Sequence, residues 1–153
     1  EASDPPPAHY PIDVPSLTTG KPVTSSSVLS AHPARLANDG RRGNTESYWA
    51  TNATEEDPEP WWVVDLLEPT QVGRVVVVGY YYGERHYGFT VETSVDGARW
   101  EMVADERDNT QPSTRDGYDC RFAPRPARFI RVTQTHNSAN IGRHLVEVMA
   151  YPE

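Results

Sequence analysis

Cysteine, lysine and long apolar runs are scarce in this sequence of 153 residues. The single cysteine, Cys120, excludes an internal disulfide, so cysteine usage does not reveal the redox compartment. No apolar run is long enough to span a bilayer, and no signal peptide is present. Because Glu1 is an implausible natural start, a signal could have been removed together with upstream sequence.

Concentrated positive charge is also lacking. The formal net charge is −8, acidic and basic residues are interspersed, and Lys21 is the only lysine. A nucleic-acid or anionic-membrane partner needs a basic face that neutralises phosphates, and the pair Arg41-Arg42 is too small to form one. We therefore expect no nucleic acid and no membrane among the partners.

Catalytic motifs are missing as well. No Gly-x-Ser-x-Gly, His-Glu-x-x-His, phosphate-cradling glycine loop or familiar Cys–His spacing occurs. The acidic cluster at 55–59 is interleaved with Pro58 and followed by Pro60, which indicates a solvated loop rather than paired catalytic carboxylates. The sequence therefore does not predict an enzyme.

Turn-forming residues and short β patterns are abundant. The 14 prolines and 10 glycines favour many turns and short strands over long helices. Asp96-Gly97 between two alternating runs predicts a tight hairpin, while Glu68-Pro69 and 124–126 predict strand breaks. The predicted strands are 22–28, 61–66, 72–82, 89–95, 100–104, 117–122, 127–135 and 145–151. About eight antiparallel strands of this kind predict an all-β jelly-roll β-sandwich.

The predicted domain occupies residues 19–153 and follows a Pro-rich linker or tail at residues 1–18. If successive strands run antiparallel, all of the long connections leave the sandwich at the same end. These connections are 29–60, 83–88, 105–116 and 136–144. Binding residues usually lie on long loops carried by a rigid scaffold, so the function is expected at that end.

Seven short motifs follow one another in a recognisable order. They are GKPVTSSS (20–27), NDG (38–40), YWAT (48–51), WWVVDL (61–66), SVDGARW (94–100), ARFIRV (127–132) and LVEV (145–148). Together, over about residues 19–152, they resemble the discoidin or coagulation factor V/VIII type C superfamily, and most of all its bacterial branch, the family 32 carbohydrate-binding modules. The coagulation-factor branch has a disulfide joining its ends, which a single cysteine cannot supply. This difference favours the glycan-binding branch.

The resemblance implies a galactose-binding-domain-like jelly roll without catalytic activity. Such modules are covalently linked to a glycoside hydrolase, lyase or sialidase-like enzyme in a secreted or cell-surface protein, here expected to be bacterial. They hold the enzyme near polysaccharide or glycoprotein glycans by binding a terminal sugar in a shallow site made by loops. They also commonly carry one structural Ca²⁺.

The family pattern places the Ca²⁺ ligands on two segments of this sequence. The implied ligands are the Leu36 carbonyl, the Asp39 carboxylate, an Arg41 or Arg42 carbonyl, Thr45, the Val146 carbonyl and the Glu147 carboxylate. The step from Asp39 to Thr45 is one residue longer than is usual in the family. An arginine paired with Asp39 or Glu147 in place of the metal is therefore an alternative, as is an ordinary turn with a solvent-facing Glu147.

Two of the long connections are rich in groups that bind sugars, namely aromatic rings for stacking and planar polar groups for hydroxyls. They are 80–87 and 136–144. The residues predicted to bind sugar are His32, Tyr82, Arg85, His86, Tyr87, Asn137, Asn140 and Arg143. Some of these groups have ordinary structural alternatives: Arg85 can pair with Glu84 or Asp108, and His144 can be a packed, hydrogen-bonded residue.

The identity of the sugar stays open at this point. Galactose-binding relatives commonly have a histidine directly after the tryptophan of the Tyr-Trp motif, whereas Ala50 follows Trp49 here, so galactose is in doubt unless His32 substitutes. Fucose, rhamnose, a uronic acid or another terminal sugar remain candidates. An acidic glycan would favour Arg85, Arg143 and Arg115 as carboxylate partners.

A protein- or cell-surface adhesion module on the same scaffold is the alternative function. Its sign would be a broad exposed apolar patch at the long-loop end, with Tyr81, Tyr82 and Tyr87 facing outward. A sugar site would instead be a small concave pocket with convergent polar groups.

Overall fold

The computed structural model describes residues 14–43 and 45–153, and these residues form antiparallel β-structure with one 3₁₀ helix, Ala34–Asn38. The strands are β1 (Val23–Ser25), β2 (Trp49–Asn52), β3 (Trp61–Val78), β4 (Tyr87–Ser94), β5 (Glu101–Glu106), β6 (Tyr118–Asn137), β7 (Gly142–Leu145) and β8 (Glu147–Tyr151). The predicted all-β sandwich class is confirmed. Within the described part of the chain, no helix has the length and apolar character needed to cross a membrane.

Two long strands, β3 and β6, pair with each other from Trp61↔Thr133 to Val77↔Tyr118. The first half of β3 also pairs with β1, and its second half pairs with β8. On the far side of β6, β4 pairs with residues 129–137 and carries β5 at its outer edge. Each long strand therefore belongs to both layers of the sandwich.

The predicted strand breaks at Glu68-Pro69 and 124–126 are wrong. The β3–β6 ladder continues past both, with Gln71↔Pro126 and Val72↔Arg125 in register, and accommodates them by irregularities at 65–70 and 72–74. A bulge lets a strand bend without ending, and proline is tolerated where its missing N–H is not needed by a partner. Proline thus marks a bend here and not a strand end.

Strand β2 was not predicted, because four residues are too few to show an alternating pattern. It pairs with β7 in a separate two-stranded sheet in which Ala50 lies opposite His144. The predicted last strand, 145–151, corresponds to the end of β7 followed by β8. The chain changes partner between them, at Val146, whose N–H donates to the Val78 carbonyl at 2.7 Å.

The core lies between the two layers. Trp62, Val64 and Ile130 from one layer are fully buried in the same cluster as Val75 and Val148 from the other. Each fully buried side chain of this size contributes about 1.5–3 kcal/mol through removal of apolar surface from water. The four consecutive valines at 75–78 are all buried, as predicted for a strand covered on both faces.

Segments of all four long connections lie together at one end of the sandwich. Ser113 N donates to the Arg85 carbonyl at 2.8 Å, and Ser138 N donates to the His86 carbonyl at 3.0 Å. The ring of Tyr48, from the connection before β2, lies 5.3 Å from that of Tyr80. The antiparallel topology inferred from the sequence thus places the candidate loops correctly.

The predicted linker at residues 1–18 is only partly described, since residues 1–13 lie outside the described part of the chain. Val14 N donates to the Gly40 carbonyl, Leu17 N donates to the Ala150 carbonyl, and the Thr18 hydroxyl donates to the Val148 carbonyl. Residues 14–18 therefore lie against the sandwich, and the boundary at residue 18 stays a prediction.

Replacing Leu67 by glycine is expected to stabilise the domain. Leu67 has φ +78° at the bend of β3 and is 55% exposed, so glycine removes backbone strain and little packing. We expect the free energy of unfolding to rise by about 0.5–1 kcal/mol, measured by urea unfolding. The neighbouring exposed Glu68, whose φ is not positive, provides the control: Glu68→Gly is expected to lower stability. A loss of stability in Leu67→Gly would contradict the assignment of strain.

Candidate functional site

The centre of the long-loop end is a hydrogen bond between Tyr87 Oη and His144 Nδ1, 2.7 Å long. Tyr87 opens β4 with its ring in the core, and His144 lies in β7. Burial raises the pKa of Tyr87 to about 12, so its hydroxyl keeps its proton. The Arg85 guanidinium, which can only donate, also faces this hydroxyl. The arrangement favours a phenol that donates to Nδ1, which leaves the His144 Nε2–H as a donor.

Glycine at position 142 lets the backbone pass directly beside the Nε2 side of the His144 ring. A Cβ atom placed there would lie 2.8 Å from both His144 Nε2 and Asn140 Oδ1. Such a contact is far shorter than van der Waals distance, so any side chain would force the ring or the loop to move. The backbone therefore approaches the His144 ring as closely as it can.

Aromatic rings surround His144. Tyr48 lies 5.7 Å from it in an edge-on arrangement, and Tyr80 lies 5.6 Å from it. The His32 ring stacks on Tyr48 at 4.3 Å with an interplanar angle of 26°. His32 and Tyr48 come from the connection between β1 and β2 and Tyr80 from the connection between β3 and β4, so the wall exists only in the folded chain.

Arg85 extends this wall by lying over the Tyr80 ring, with its Cζ atom 4.9 Å from the ring centre. The predicted alternative, an ion pair with Glu84 or Asp108, is not formed among the described residues. The Arg85 Nε is buried and has no hydrogen-bond partner there either. A guanidinium over a ring face has five N–H donors, more than its contact with the Tyr87 hydroxyl uses.

His144 is kept neutral by its surroundings. Burial is the main cause of a pKa lowered to about 4, and electrostatic interaction with Arg85, His32 and Arg143 lowers it further. At neutral pH the ring therefore offers one N–H group and one ring nitrogen rather than two donors.

Asn137, Asn140 and Arg143, all predicted to contact sugar, are engaged in holding the loop before β7. Asn137 Nδ2 donates to the Gly142 carbonyl at 2.8 Å and to Asn140 Oδ1 at 3.1 Å. Arg143 is 7% exposed and donates through Nη1 to the Gly142 carbonyl at 3.2 Å. These residues shape the loop, and their role as direct sugar contacts stays a prediction.

His86 and Tyr82 lie to the side of the His144 cluster. The His86 ring is 5.6 Å from that of His136, and its backbone N–H is bonded to the Ser138 hydroxyl at 2.9 Å. Tyr82 is 73% exposed, which places it at the rim. Among the predicted residues, the structure thus brings together His32, Arg85 and Tyr87.

Three central residues were not predicted as site residues: Tyr48, Tyr80 and His144. Strand alternation placed Tyr80 and Tyr82 on one face but did not show which of them would meet other rings. Tyr48 belongs to the YWAT motif, and the pairing of β2 with β7 brings this segment next to His144. The long-range pairing of a four-residue strand leaves no mark in the sequence.

A second buried polar cluster lies where the 3₁₀ helix packs against β8. Glu147 is fully buried; its Oε2 accepts a hydrogen bond from Gly40 N at 2.8 Å, while its Oε1 has no partner among the described residues. The Asp39 carboxyl faces it and accepts a hydrogen bond from Ser47 Oγ at 2.8 Å. Burial, followed by the charge of Asp39, raises the pKa of Glu147 to about 11. Burial also raises the pKa of Asp39.

The predicted alternatives for this cluster can be compared with its geometry. A solvent-facing Glu147 is wrong, because the residue has no exposed surface. The Arg41 guanidinium donates to the Asp39 backbone carbonyl at 3.1 Å, and its charge is the weakest influence on the Asp39 pKa. Two carboxyl groups with an unpartnered oxygen fit a bound cation. Among residues 14–43 and 45–153, no three His, Cys, Asp or Glu side chains form a metal cluster, so backbone carbonyls would have to complete such a site.

The fold is an antiparallel β-sandwich whose connections bring a cluster of aromatic and basic side chains together at one end. The F5/8 type C domain model matches residues 22–146, and the chain belongs to this family. The recognition of a discoidin-type domain from its motifs is therefore confirmed.

Comparison with known proteins gives two kinds of relative. BTB/POZ domain-containing protein 9 from Bos taurus is 37% identical over 84 residues, which is 55% of this chain and 13% of that protein. The chain thus matches only a small part of this relative. Among solved structures, the CBM32 module of AlyQ, in complex with 4,5-unsaturated mannuronic acid, has TM-score 0.69 and 23% identity over 86% of this chain and 95% of its own. A family 89 glycoside hydrolase from Clostridium perfringens has TM-score 0.75 and 22% identity over 91% of this chain and 14% of its own.

The low pKa of His144 predicts a loss of stability in acid. Because the folded-state pKa of about 4 is below the ordinary 6.5, the unfolded chain binds a proton first as the pH falls. The stability that a neutral His144 contributes is complete above pH 6.5 and is lost progressively down to about pH 4. Urea unfolding between these pH values is expected to show a smaller loss in His144→Gln than in the unsubstituted protein.

Tyr87→Phe tests whether the low pKa of His144 persists without the Tyr87 hydrogen bond. It removes the hydroxyl and keeps the His144 ring buried, so a low pKa is still expected, measured by NMR titration of the ring protons. Equal acid sensitivity in His144→Gln and the unsubstituted protein would contradict the assignment.

Proposed function

We propose that this chain is a non-catalytic carbohydrate-binding module that recognises a terminal sugar at its long-loop end. The observation that carries the proposal is the convergence of rings and polar groups on one cluster. Tyr48 and Tyr80 supply ring faces or edges, Arg85 supplies a fork of donors, and His144 supplies Nε2. Rings for C–H faces together with fixed planar donors are the requirements for sugar binding.

The affinity for a single sugar is expected to be weak. The cluster would contact one sugar ring and remove few atoms from water, which corresponds to a Kd of roughly 0.1–1 mM. Tyr82, at the exposed rim, is placed to contact a second residue of a longer glycan. A longer glycan would then bind more tightly than its terminal residue alone.

The proposal is supported by what proteins of similar structure bind or act on. The AlyQ neighbour is a carbohydrate-binding module with a sugar acid bound, and the Clostridium perfringens neighbour is a glycoside hydrolase of which such a domain is a small part. By analogy, we propose that this module targets a covalently linked enzyme of a secreted or cell-surface protein to polysaccharide or glycoprotein glycans.

The adhesion alternative has less support from the structure. Its sign was an apolar patch with three tyrosines facing outward. Tyr87 is buried, and Tyr81 is half-buried with its hydroxyl bonded to the Arg42 carbonyl at 2.7 Å, so Tyr82 alone among them projects. The names of the BTB/POZ relatives mention no sugar. Binding of a protein partner is therefore the second candidate function.

We also propose that a structural Ca²⁺ binds at Asp39 and Glu147. The unpartnered Glu147 Oε1 and the facing Asp39 carboxyl are the oxygens that carry this proposal. The remaining oxygens are proposed to come from the Leu36, Arg41 and Val146 carbonyls and from Thr45, as the family pattern implies. The ion would neutralise two buried acids and tie the 3₁₀ helix to β8, and it would take no part in chemistry.

Arg85→Ala is expected to weaken binding of the best ligand from a glycan array by at least about tenfold, because the donor fork is lost. The fold is expected to survive, since a stacked arginine of this kind contributes about 0.5–1 kcal/mol to stability. Isothermal titration calorimetry measures the first effect and thermal unfolding the second.

Arg99→Ala is the matched control. Arg99 is exposed in the β4–β5 turn, among the short connections, so the same change there removes one charge away from the site. Binding by Arg85→Ala at the unsubstituted level would move the site elsewhere. The absence of any glycan that binds the unsubstituted protein would end the proposal.

Removal of calcium is expected to lower the melting temperature by roughly 5–10 °C when the comparison is made at about 100 times the Kd for the ion. Glu147→Gln, which keeps the shape and removes the charge, is expected to abolish this response. Glu101→Gln, an exposed change of the same kind, is expected to retain it. A protein that does not respond to a chelator, and in which Glu147→Gln is neutral or stabilising, would instead contain a carboxyl pair that shares a proton.

A further inference from the structure

We infer that the sugar bound at the long-loop end carries a carboxylate, and that Arg85 binds this group. This inference rests on the proposed function and narrows its ligand to the acidic sugars, the uronic acids in particular. It is based on which arginines of this chain form ion pairs and on the charged residues near the candidate site.

Arginines on the sheet surfaces of this protein are neutralised by acids. In β6, each of four arginines pairs with a carboxylate at 2.8–3.1 Å. The pairs are Arg121–Asp119, Arg125–Glu101, Arg128–Asp65 and Arg131–Glu92. In a chain of net charge −8, a partner acid is easily provided wherever an arginine serves the fold.

Arg85 departs from this rule although it is half-buried. It forms no ion pair among the described residues, its Nε has no hydrogen-bond partner there, and its neighbours are the Tyr80 ring and the Tyr87 hydroxyl. Glu84 is the adjacent residue and is exposed, yet it does not pair with Arg85. Partial burial of a cation without a counter-charge is unfavourable, and an anionic ligand would offset this cost.

Three basic residues influence His144. Arg85, His32 and Arg143 all act on His144 in the direction expected of positive charge. Arg143 is only 7% exposed and forms no ion pair within the described part of the chain. The exposed Glu59 acts on the pKa of Arg143 through its charge. Basic side chains thus cluster near His144 in an otherwise acidic protein, which favours an anionic sugar over a cationic one.

The geometry of Arg85 suits a carboxylate. Contact with the Tyr80 ring restricts the Arg85 guanidinium, and the paired N–H groups of a guanidinium match the two oxygens of a carboxylate. His144 Nε2 and the ring wall remain for the hydroxyls and the C–H face of the same sugar. One monosaccharide can therefore satisfy the charge, the ring and the hydroxyl contacts together.

The experiment compares uronates with their neutral counterparts. Methyl glycosides of glucuronate and glucose, galacturonate and galactose, and mannuronate and mannose differ within each pair only at C6. Binding is measured by calorimetry at 50 and 500 mM NaCl, alongside a glycan array. At least one uronate is expected to bind with about tenfold or higher affinity than the neutral sugar of the same pair. The difference should shrink at the higher salt concentration.

Arg85→Gln tests whether Arg85 binds the carboxylate of the uronate. It is expected to reduce uronate affinity to about the level of the neutral partner, with less than about a threefold change for the neutral sugar. Arg99→Gln is the control for the change in net charge and is expected to bind as the unsubstituted protein does. Equal losses for both members of a pair would overturn the carboxylate role of Arg85.

The outcomes separate this inference from the proposed function. A best array ligand that is neutral, with no advantage for its uronate, overturns the inference and leaves the sugar-binding function standing. Failure to bind any carbohydrate overturns the proposed function, and the inference with it.

Discussion

The paired strands β3 and β6 are the constraint on which the rest of this molecule depends. Their ladder runs through both layers, from Trp61↔Thr133 to Val77↔Tyr118, so the two sheets are parts of one continuous ribbon. The bend at 65–74 turns Val64 and Val75 toward a common core. The same bend decides which connections share an end. A rigid ribbon of this kind lets irregular loops hold a defined geometry, because their ends cannot move apart.

The loop end and the sheet surfaces follow opposite electrostatic rules. On the sheets, charges are paired in exposed positions where they contribute little to stability and mainly keep the surface neutral. At the loop end, cationic and aromatic groups are packed together, with His144 neutral and Arg85 stacked on Tyr80. Near β8, two acids are buried face to face. Both clusters cost folding free energy that a bound partner would return, and this is the physical reason for assigning ligands to them.

Much of the scaffold was predictable because it depends on local patterns. The valine run at 75–78, the alternation in β4 and β5 and the Asp96-Gly97 turn each identified an element. Prolines were misread at 68–69 and 124–126, since a proline breaks a strand or bends it according to whether a partner needs its N–H. Within the candidate site, His32, Arg85 and Tyr87 were predicted from residue type and position, whereas Tyr48 and His144 come together through the pairing of β2 with β7.

The sequence by itself determined the fold class and the family and indicated two of the segments that form the candidate site, because periodicity, turn residues and motif order are local properties of the chain. The tertiary structure decided which polar groups are satisfied within the protein and which are not. Asn137 and Arg85 look equally suited to a sugar in the sequence, yet Asn137 donates to the Gly142 carbonyl, while Arg85 forms no ion pair with any residue that the structure describes. Whether a donor is free depends on neighbours that are distant along the chain, and only the folded molecule brings them together.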